Sequence, residues 1–191
     1  MRKKIKIFSS GFTLFEVIIT LAIMIVVFSL AISEIKTTNS RSSLTLTTEN
    51  LVSDLRMTVM SALNSETLQL KTPTSWGVYF NTSSTASTYT IFADLNGDGA
   101  YNSNEKFKTV TLASNLNIRC VSVSTNPCAS PSTLMFSVPL VTPYLNGGLV
   151  DTFGDVIIEL EDLASPAQPD EPTNLAIKKI FINSLGVVSS E

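Results

Sequence analysis

The sequence predicts an α+β protein: a long N-terminal helix, its first half transmembrane, packed on an antiparallel β-sheet domain. Three observations predict it. Phe12 to Ile32 is apolar apart from a few residues, about 21 residues or roughly 31 Å as a helix, enough to cross a bilayer core. Ser33 to Asn64 holds neither Gly nor Pro and repeats apolar residues at helical spacing. From Leu68 onward, short runs of Val, Ile, Thr and Phe alternate with clusters of Asn, Gly, Ser and Pro, the pattern of strands and turns. Several strands after one helical stretch argue for helix on antiparallel sheet.

The first element opens on a basic leader, Met1-Arg2-Lys3-Lys4-Ile5-Lys6, followed by Gly11-Phe12-Thr13-Leu14-Phe15-Glu16. Glu16 stands out, because a carboxylate in lipid costs several kcal/mol unless it finds a partner, and such an acid marks a functional site. A secretory signal does not fit. The apolar stretch is too long, contains Glu16 and lacks a small-residue cleavage site at its end. A plain single-pass anchor explains the length and the basic flank. It leaves Glu16 and the Gly-Phe step without a reason.

The second half of the helix is amphipathic. Leu44, Leu51, Leu55, Val59 and Ala62 share one stripe, with Glu49, Asp54 and Arg56 on other faces. Residues 37–43 are weak helix formers, and Asn64-Ser65 is a stop signal. Beyond it the expected strands are Thr67–Lys71, Gly77–Asn81, Thr88–Ala93, Phe107–Leu112, Asn117–Val123, Thr133–Val138, Asp155–Glu161 and Ala176–Asn183. A short run, Gly186–Ser189, pairs back on its predecessor. Residues 82–87 and 166–172 are surface loops by composition. No repeat and no second globular domain is visible.

Composition narrows the function. The chain has 191 residues, 13 of them basic and 16 acidic. Four of the 13 basic residues fall within the first six, so the chain without residues 1–11 carries a net charge of about −7. A domain this acidic is a poor partner for nucleic acid, whose nonspecific binding rests on neutralising phosphates. Histidine is absent, which removes the commonest general base and transition-metal ligand. No nucleophile motif, phosphate-cradling Gly loop or zinc spacing occurs. An enzyme is not expected.

At the leader, the Gly-Phe step and Glu16, the chain resembles the type IV pilin and pseudopilin superfamily, and the expected fold is pilin-like. The resemblance implies cleavage by a prepilin peptidase between Gly11 and Phe12, with Phe12 then N-methylated. It implies that Glu16 pairs with the α-amino group of a neighbouring subunit during assembly. Two charges that are each costly in an apolar medium become tolerable together, which rewards correct register. The divisions that follow are 1–11 prepilin leader, 12–33 transmembrane and assembly half of the helix, 34–65 its amphipathic half, and 66–191 the β-rich globular domain. Shorter matches at Leu51–Arg56, Ser75–Phe80, Phe92–Gly99 and Ile180–Val188 are similar to the H-type minor pseudopilins of type II secretion and their FimT-like relatives. The implied role is a minor subunit near the tip of a pseudopilus or pilus, supporting protein secretion. The implied partners are sibling subunits, the peptidase and N-methyltransferase, an inner-membrane assembly platform, membrane lipid and secreted cargo. The implied location is single-pass in the bacterial inner membrane, N-terminus cytoplasmic and globular domain periplasmic or extracellular, then in the filament. Two other readings stand beside it: a minor pilin for DNA uptake or adhesion, and a membrane-anchored calcium-binding domain outside any filament.

A second constellation carries possible chemistry. Asp94, Asn96, Asp98, Ala100, Asn102 and Glu105 occupy the first, third, fifth, seventh, ninth and twelfth places of an EF-hand-type calcium loop. Ala100 would contribute its carbonyl, and Gly99 the sharp turn. The flanks are strand-like rather than helical, and Asn96-Gly97 and Asp98-Gly99 equally suit a plain hairpin turn. Calcium is the one cofactor expected on this basis. Cys120 and Cys128 are the only cysteines. In an oxidising compartment, which the leader implies, they read as a disulfide around a short loop. The alternative is two buried thiols. Trp76 reads as a core residue, and Lys178-Lys179 is too short a basic run for DNA.

Overall fold

The structure is a computed structural model that describes residues 13–82, 87–123, 128, 131–150, 154–163 and 176–191, with helix side chains given for 14–29 and 42–63. Helical backbone runs Leu14–Leu63 (α1). The chain divides into two compact units, Met1–Asn39 and Ser40–Glu191.

In the first unit, Thr13 caps the helix. The Glu16 amide donates to the Thr13 carbonyl at 3.1 Å and to its Oγ1 at 3.3 Å. Ser/Thr at the cap with Glu three residues on is a capping signature. The hydroxyls of Thr20 and Ser29 fold back onto the carbonyls of Val17 and Val26, both at 2.9 Å. This hides their polarity along the helix and leaves the surface apolar on every side. Large apolar residues from Leu14 to Phe28 are all exposed, from 42% at Ile19 to 81% at Leu14.

The expected fold class and location need correction here. The helical residues described with side chains form two stretches, 14–29 and 42–63. Among the described residues, no helix is long and apolar enough to cross a membrane. The long N-terminal helix with a transmembrane first half, the transmembrane character of 12–33, and the single-pass inner-membrane location are therefore not supported. The expected pilin-like layout of one such helix on one sheet gives way to a fold dominated by two antiparallel sheets.

In the second unit, the 42–63 stretch of α1 buries Leu44, Thr48, Leu51, Val52, Asp54, Leu55, Thr58, Val59, Ser61 and Ala62. Spacings of three and four keep these on one face. Thr48 and Thr58 donate to the carbonyls of Leu44 and Asp54, both at 2.8 Å, so neither buried hydroxyl is left unpaired. The helix ends where Ser65 takes φ +50°. Its amide reaches the Ala62 carbonyl at 3.2 Å, and the Glu66 amide reaches the Ser61 carbonyl at 2.9 Å. These paired bonds form a Schellman cap with a non-glycine in the left-handed position.

Ten strands follow. Ser75–Asn81 (β1), Thr88–Asp94 (β2), Lys106–Thr111 (β3), Leu116–Val123 (β4) and Ser132–Ser137 (β5) come first. Pro143–Leu145 (β6), Gly148–Leu149 (β7), Val156–Asp162 (β8), Ala176–Ile182 (β9) and Val188–Ser190 (β10) complete them. One sheet has the order β3-β2-β1-β5-β6-β7 and the other β10-β9-β8-β4. The expected strand Thr67–Lys71 is instead a tight turn. Gln69 and Leu70 have φ +53° and +62°, and a single bridge joins Leu68 to Lys71. Two consecutive left-handed residues make a turn that β propensity does not reveal. The loop at 82–87 is described only at its ends, and 166–172 lies outside the described residues.

One core joins the elements of this unit. Trp76, Val78 and Phe80 from β1 meet Leu134 and Phe136 from β5, Val156, Ile158 and Leu160 from β8, and Ile180 and Ile182 from β9. Trp76 is 2% exposed, donates its Nε1 to the Glu66 carbonyl at 3.2 Å, and meets Phe107 edge-on at 5.6 Å. Gly77 lies in the middle of the larger sheet. A Cβ there would sit 2.7 Å from the Leu134 carbonyl and 2.9 Å from both Met135 and Phe92. The Trp-Gly pair thus has a packing reason: the glycine lets two strands and a phenyl ring close over it.

Asp54 is the charged residue on the buried helix face. Tyr89 donates its hydroxyl to Asp54 Oδ2 at 2.8 Å, and Lys108 Nζ reaches both carboxylate oxygens, at 2.7 and 2.8 Å. Arg56 ties the helix to β10 through the Val188 carbonyl at 2.9 Å. Burial, followed by the bond to Asp54 and its charge, pushes the Tyr89 phenol far above its ordinary value of about 10. The folded state therefore resists an ionisation that the unfolded chain undergoes freely. The stability from the neutral phenol is complete below about pH 10 and declines as pH rises above it. Melting curves taken from about pH 8 to 11 are expected to fall more steeply for the parent than for Tyr89→Phe. At neutral pH the same variant is expected to lose about 1 kcal/mol for its missing hydrogen bond.

Candidate functional site

The connection from β2 to β3 gathers the residues singled out for calcium. Asp94 ends β2 and is 2% exposed. Its Oδ1 accepts the Gly97 amide at 2.7 Å and its Oδ2 the Gly99 amide at 3.1 Å. Asn96 Oδ1 accepts the Asp98 amide at 2.9 Å, and Asp98 Oδ1 accepts the Ala100 amide at 2.9 Å. Each oxygen thus closes a local turn, because a short side chain can bond to the backbone two or more residues on. Gly97 and Gly99 take φ +77° and +71°, a conformation that glycine adopts without strain.

Asp98 is fully exposed, and its carboxyl is held below the ordinary carboxylate range. The amide of Asn102 is the main cause, followed by the Ala100 backbone and the Asn96 side chain. Both side-chain amides reach Asp98 Oδ2, Asn96 at 2.8 Å and Asn102 at 2.9 Å. Glu105 closes the loop within a single 3-10 turn, Ser103–Glu105. It is wholly buried. Its Oε1 accepts the amides of Leu95 at 2.9 Å and Asn96 at 3.3 Å. Its Oε2 is buried with no hydrogen-bond partner among the described residues.

Tyr101 anchors the loop to the sheet. Its ring stacks on Tyr79 at 4.9 Å and meets Phe92 edge-on at 5.5 Å. Gln69 holds the far side by donating to the Asn104 carbonyl at 3.1 Å. Gly97, Asp98 and Gly99 also form one wall of an open depression of about 380 Å³, completed by Thr74, Ser75 and Met135 among others. All six sequence-predicted positions therefore lie in one loop. Among the described residues, no three Asp, Glu, Cys or His side chains converge closely enough to hold a metal as the loop stands.

The other singled-out residues lie elsewhere. Gly11 and Phe12 are outside the described residues. Glu16 is exposed in the first helical turn. Cys120, buried in β4, is joined by a disulfide to the exposed Cys128, with Cα atoms 5.1 Å apart. Three roles escaped the sequence reading. Thr13 forms the helix cap, and the Thr-x-x-Glu spacing was a usable signal for it. Asp54 is buried against Tyr89 and Lys108, where spacing alone placed it on a polar face. Tyr101 clamps the loop, and nothing local announces its stacking partner.

No protein-family model, curated protein or solved structure matches the chain.

The disulfide closes a short loop at the end of β4, and cross-linking restricts the unfolded chain. Reduction is expected to lower stability by about 2–3 kcal/mol on the loop-entropy argument. Urea unfolding followed with and without a thiol reductant checks this, and Cys120→Ala/Cys128→Ala should be insensitive to the reductant.

Proposed function

We propose that the chain is a filament subunit, a minor pilin or pseudopilin. It is clipped between Gly11 and Phe12 and packed through its N-terminal helix into a pilus or pseudopilus that supports protein secretion. The observation that carries this reading is the order Gly11-Phe12-Thr13-Leu14-Phe15-Glu16 at the head of a helix with apolar side chains on every face. Such a helix needs burial, because a single chain in water leaves all of that surface hydrated. Helices of neighbouring subunits supply it.

Glu16 then has two roles. It sits in the first turn, where the helix dipole favours an acid. In the packed filament its carboxylate meets the α-amino group of Phe12 from an adjacent subunit. The pairing fixes axial register, since a one-residue slip strands both charges among apolar side chains. An acidic chain without histidine supports a structural role rather than catalysis or phosphate binding.

Mass spectrometry of protein recovered from cells is expected to show a chain starting at Phe12 and carrying one methyl group. Glu16→Ala is expected to be clipped normally but to enter filaments at least about tenfold less, the effect of losing more than about 1.4 kcal/mol of pairing energy. A chain that keeps residues 1–11, or parental incorporation of Glu16→Ala, overturns the proposal.

A further inference from the structure

We propose that the β2–β3 loop binds one calcium ion, with Glu105 as its closing ligand. The observation behind this is the state of the Glu105 carboxylate. The side chain is 0% exposed, and Oε1 is occupied by the amides of Leu95 and Asn96. Oε2 is buried without a partner among the described residues. A buried carboxylate oxygen with nothing to accept is a net cost to folding, and groups of this kind call for a ligand or ion. The carboxylate is turned toward the start of the loop, because its other oxygen bonds the backbone there. A plain hairpin turn explains the local turns and the two left-handed glycines. It leaves Glu105 Oε2 unexplained, since a turn has no use for a buried acid at its twelfth place.

The donor set selects the ion. Asp94, Asn96, Asp98, the Ala100 carbonyl and Glu105 offer only oxygen, and histidine and thiolate are absent from the loop. Hard cations prefer such sets, and calcium tolerates the irregular geometry of a flexible loop better than magnesium does. Three carboxylates, from Asp94, Asp98 and Glu105, more than offset the charge of a divalent ion. Binding requires a defined local change. The Asn96 and Asn102 amide groups now cover Asp98 Oδ2 and must turn away from it. Asn96 Oδ1 moves with its planar amide and exchanges the Asp98 backbone amide it now accepts for the ion. The ion meets the unpartnered Oε2, draws the exposed Asp98 inward and links the two ends of the loop.

The test uses the purified full-length chain after chelator treatment, titrated with calcium chloride by calorimetry and by thermal melting. One ion per chain is expected, at a dissociation constant of about 10⁻⁴–10⁻³ M, the range of modules without a rigid cage. At about 10 mM calcium the melting temperature is expected to rise by about 3–10 °C. Glu105→Gln is expected to abolish the rise. Asp98→Asn, at an exposed position that packs against nothing in the core, is expected to weaken binding at least about tenfold and keeps the test decisive if Glu105→Gln misfolds. The proposal is overturned if no saturable heat or melting shift develops by about 10 mM calcium, if magnesium gives an equal shift, or if Asp98→Asn binds like the parent.

Discussion

Asp54 brings a negative charge onto the buried face of α1, and the packing around it has to answer that charge. Removing a carboxylate from water costs several kcal/mol, and the cost is offset only by well-placed donors. Tyr89 on β2 and Lys108 on β3 are those donors, all within 2.8 Å. Rotating the helix by one residue would turn Asp54 by about 100° and leave it without either partner. The ion pair thus fixes which helix face meets the larger sheet, while the apolar stripe from Leu44 to Ala62 supplies most of the favourable burial. The effect extends along β3. The pairing of β2 with β3 shifts between Ile91 and Phe92, so Lys108 pairs opposite Ile91 while Lys106 pairs opposite Phe92. Phe107, skipped by that register, meets the edge of Trp76. Helix, bulge and tryptophan are parts of one arrangement.

Much of the second unit was legible because its elements obey simple periods. The helix stripe has a period near 3.6, and the longer strands agree with their sequence ranges within a residue or two. What escaped depends on partners distant in sequence. Pro143–Leu145 and Gly148–Leu149 are too short to show alternation, and they form because β5 offers an edge at Leu134–Phe136. In β4 the alternation breaks at a register shift between Ile118 and Cys120, so Ile118 and Val121 both reach the core despite opposite parity. Helical spacing sets Asp54 off the apolar stripe, and a charged residue is almost never buried unless it is paired; its pair lies 35 and 54 residues away.

The N-terminal residues present the opposite difficulty: a strong local signal with more than one physical cause. An apolar run measures hydrophobicity, not the medium that receives it. Lipid and the helices of other subunits remove the same surface from water. Among the described residues, no helix is long and apolar enough to cross a membrane. Glu16 is ambiguous in the same way. Its spacing from Thr13 satisfies a helix cap within the chain, so its presence in an apolar run does not by itself demand a second subunit. The capped acid still carries a charge amid exposed apolar neighbours, and any partner that covers Leu14 to Phe28 must accommodate it.

The calcium loop shows how one buried atom can separate two readings that a motif leaves level. Asp, Asn and Gly at alternating places serve a turn and a cation equally, because both need short oxygen side chains and left-handed backbone. The amide bonds to Asp94, Asn96 and Asp98 fit either purpose. Glu105 does not. A turn that needed an acid only to hold Leu95 and Asn96 would use one oxygen and leave the other in water, where it costs little. Here the second oxygen is buried without a partner among the described residues, while the exposed Asp98 has its Oδ2 covered by the amides of Asn96 and Asn102. Those amides are weak substitutes for a divalent charge. They can neutralise the field around Asp98, but they leave the buried Glu105 Oε2 without any donor.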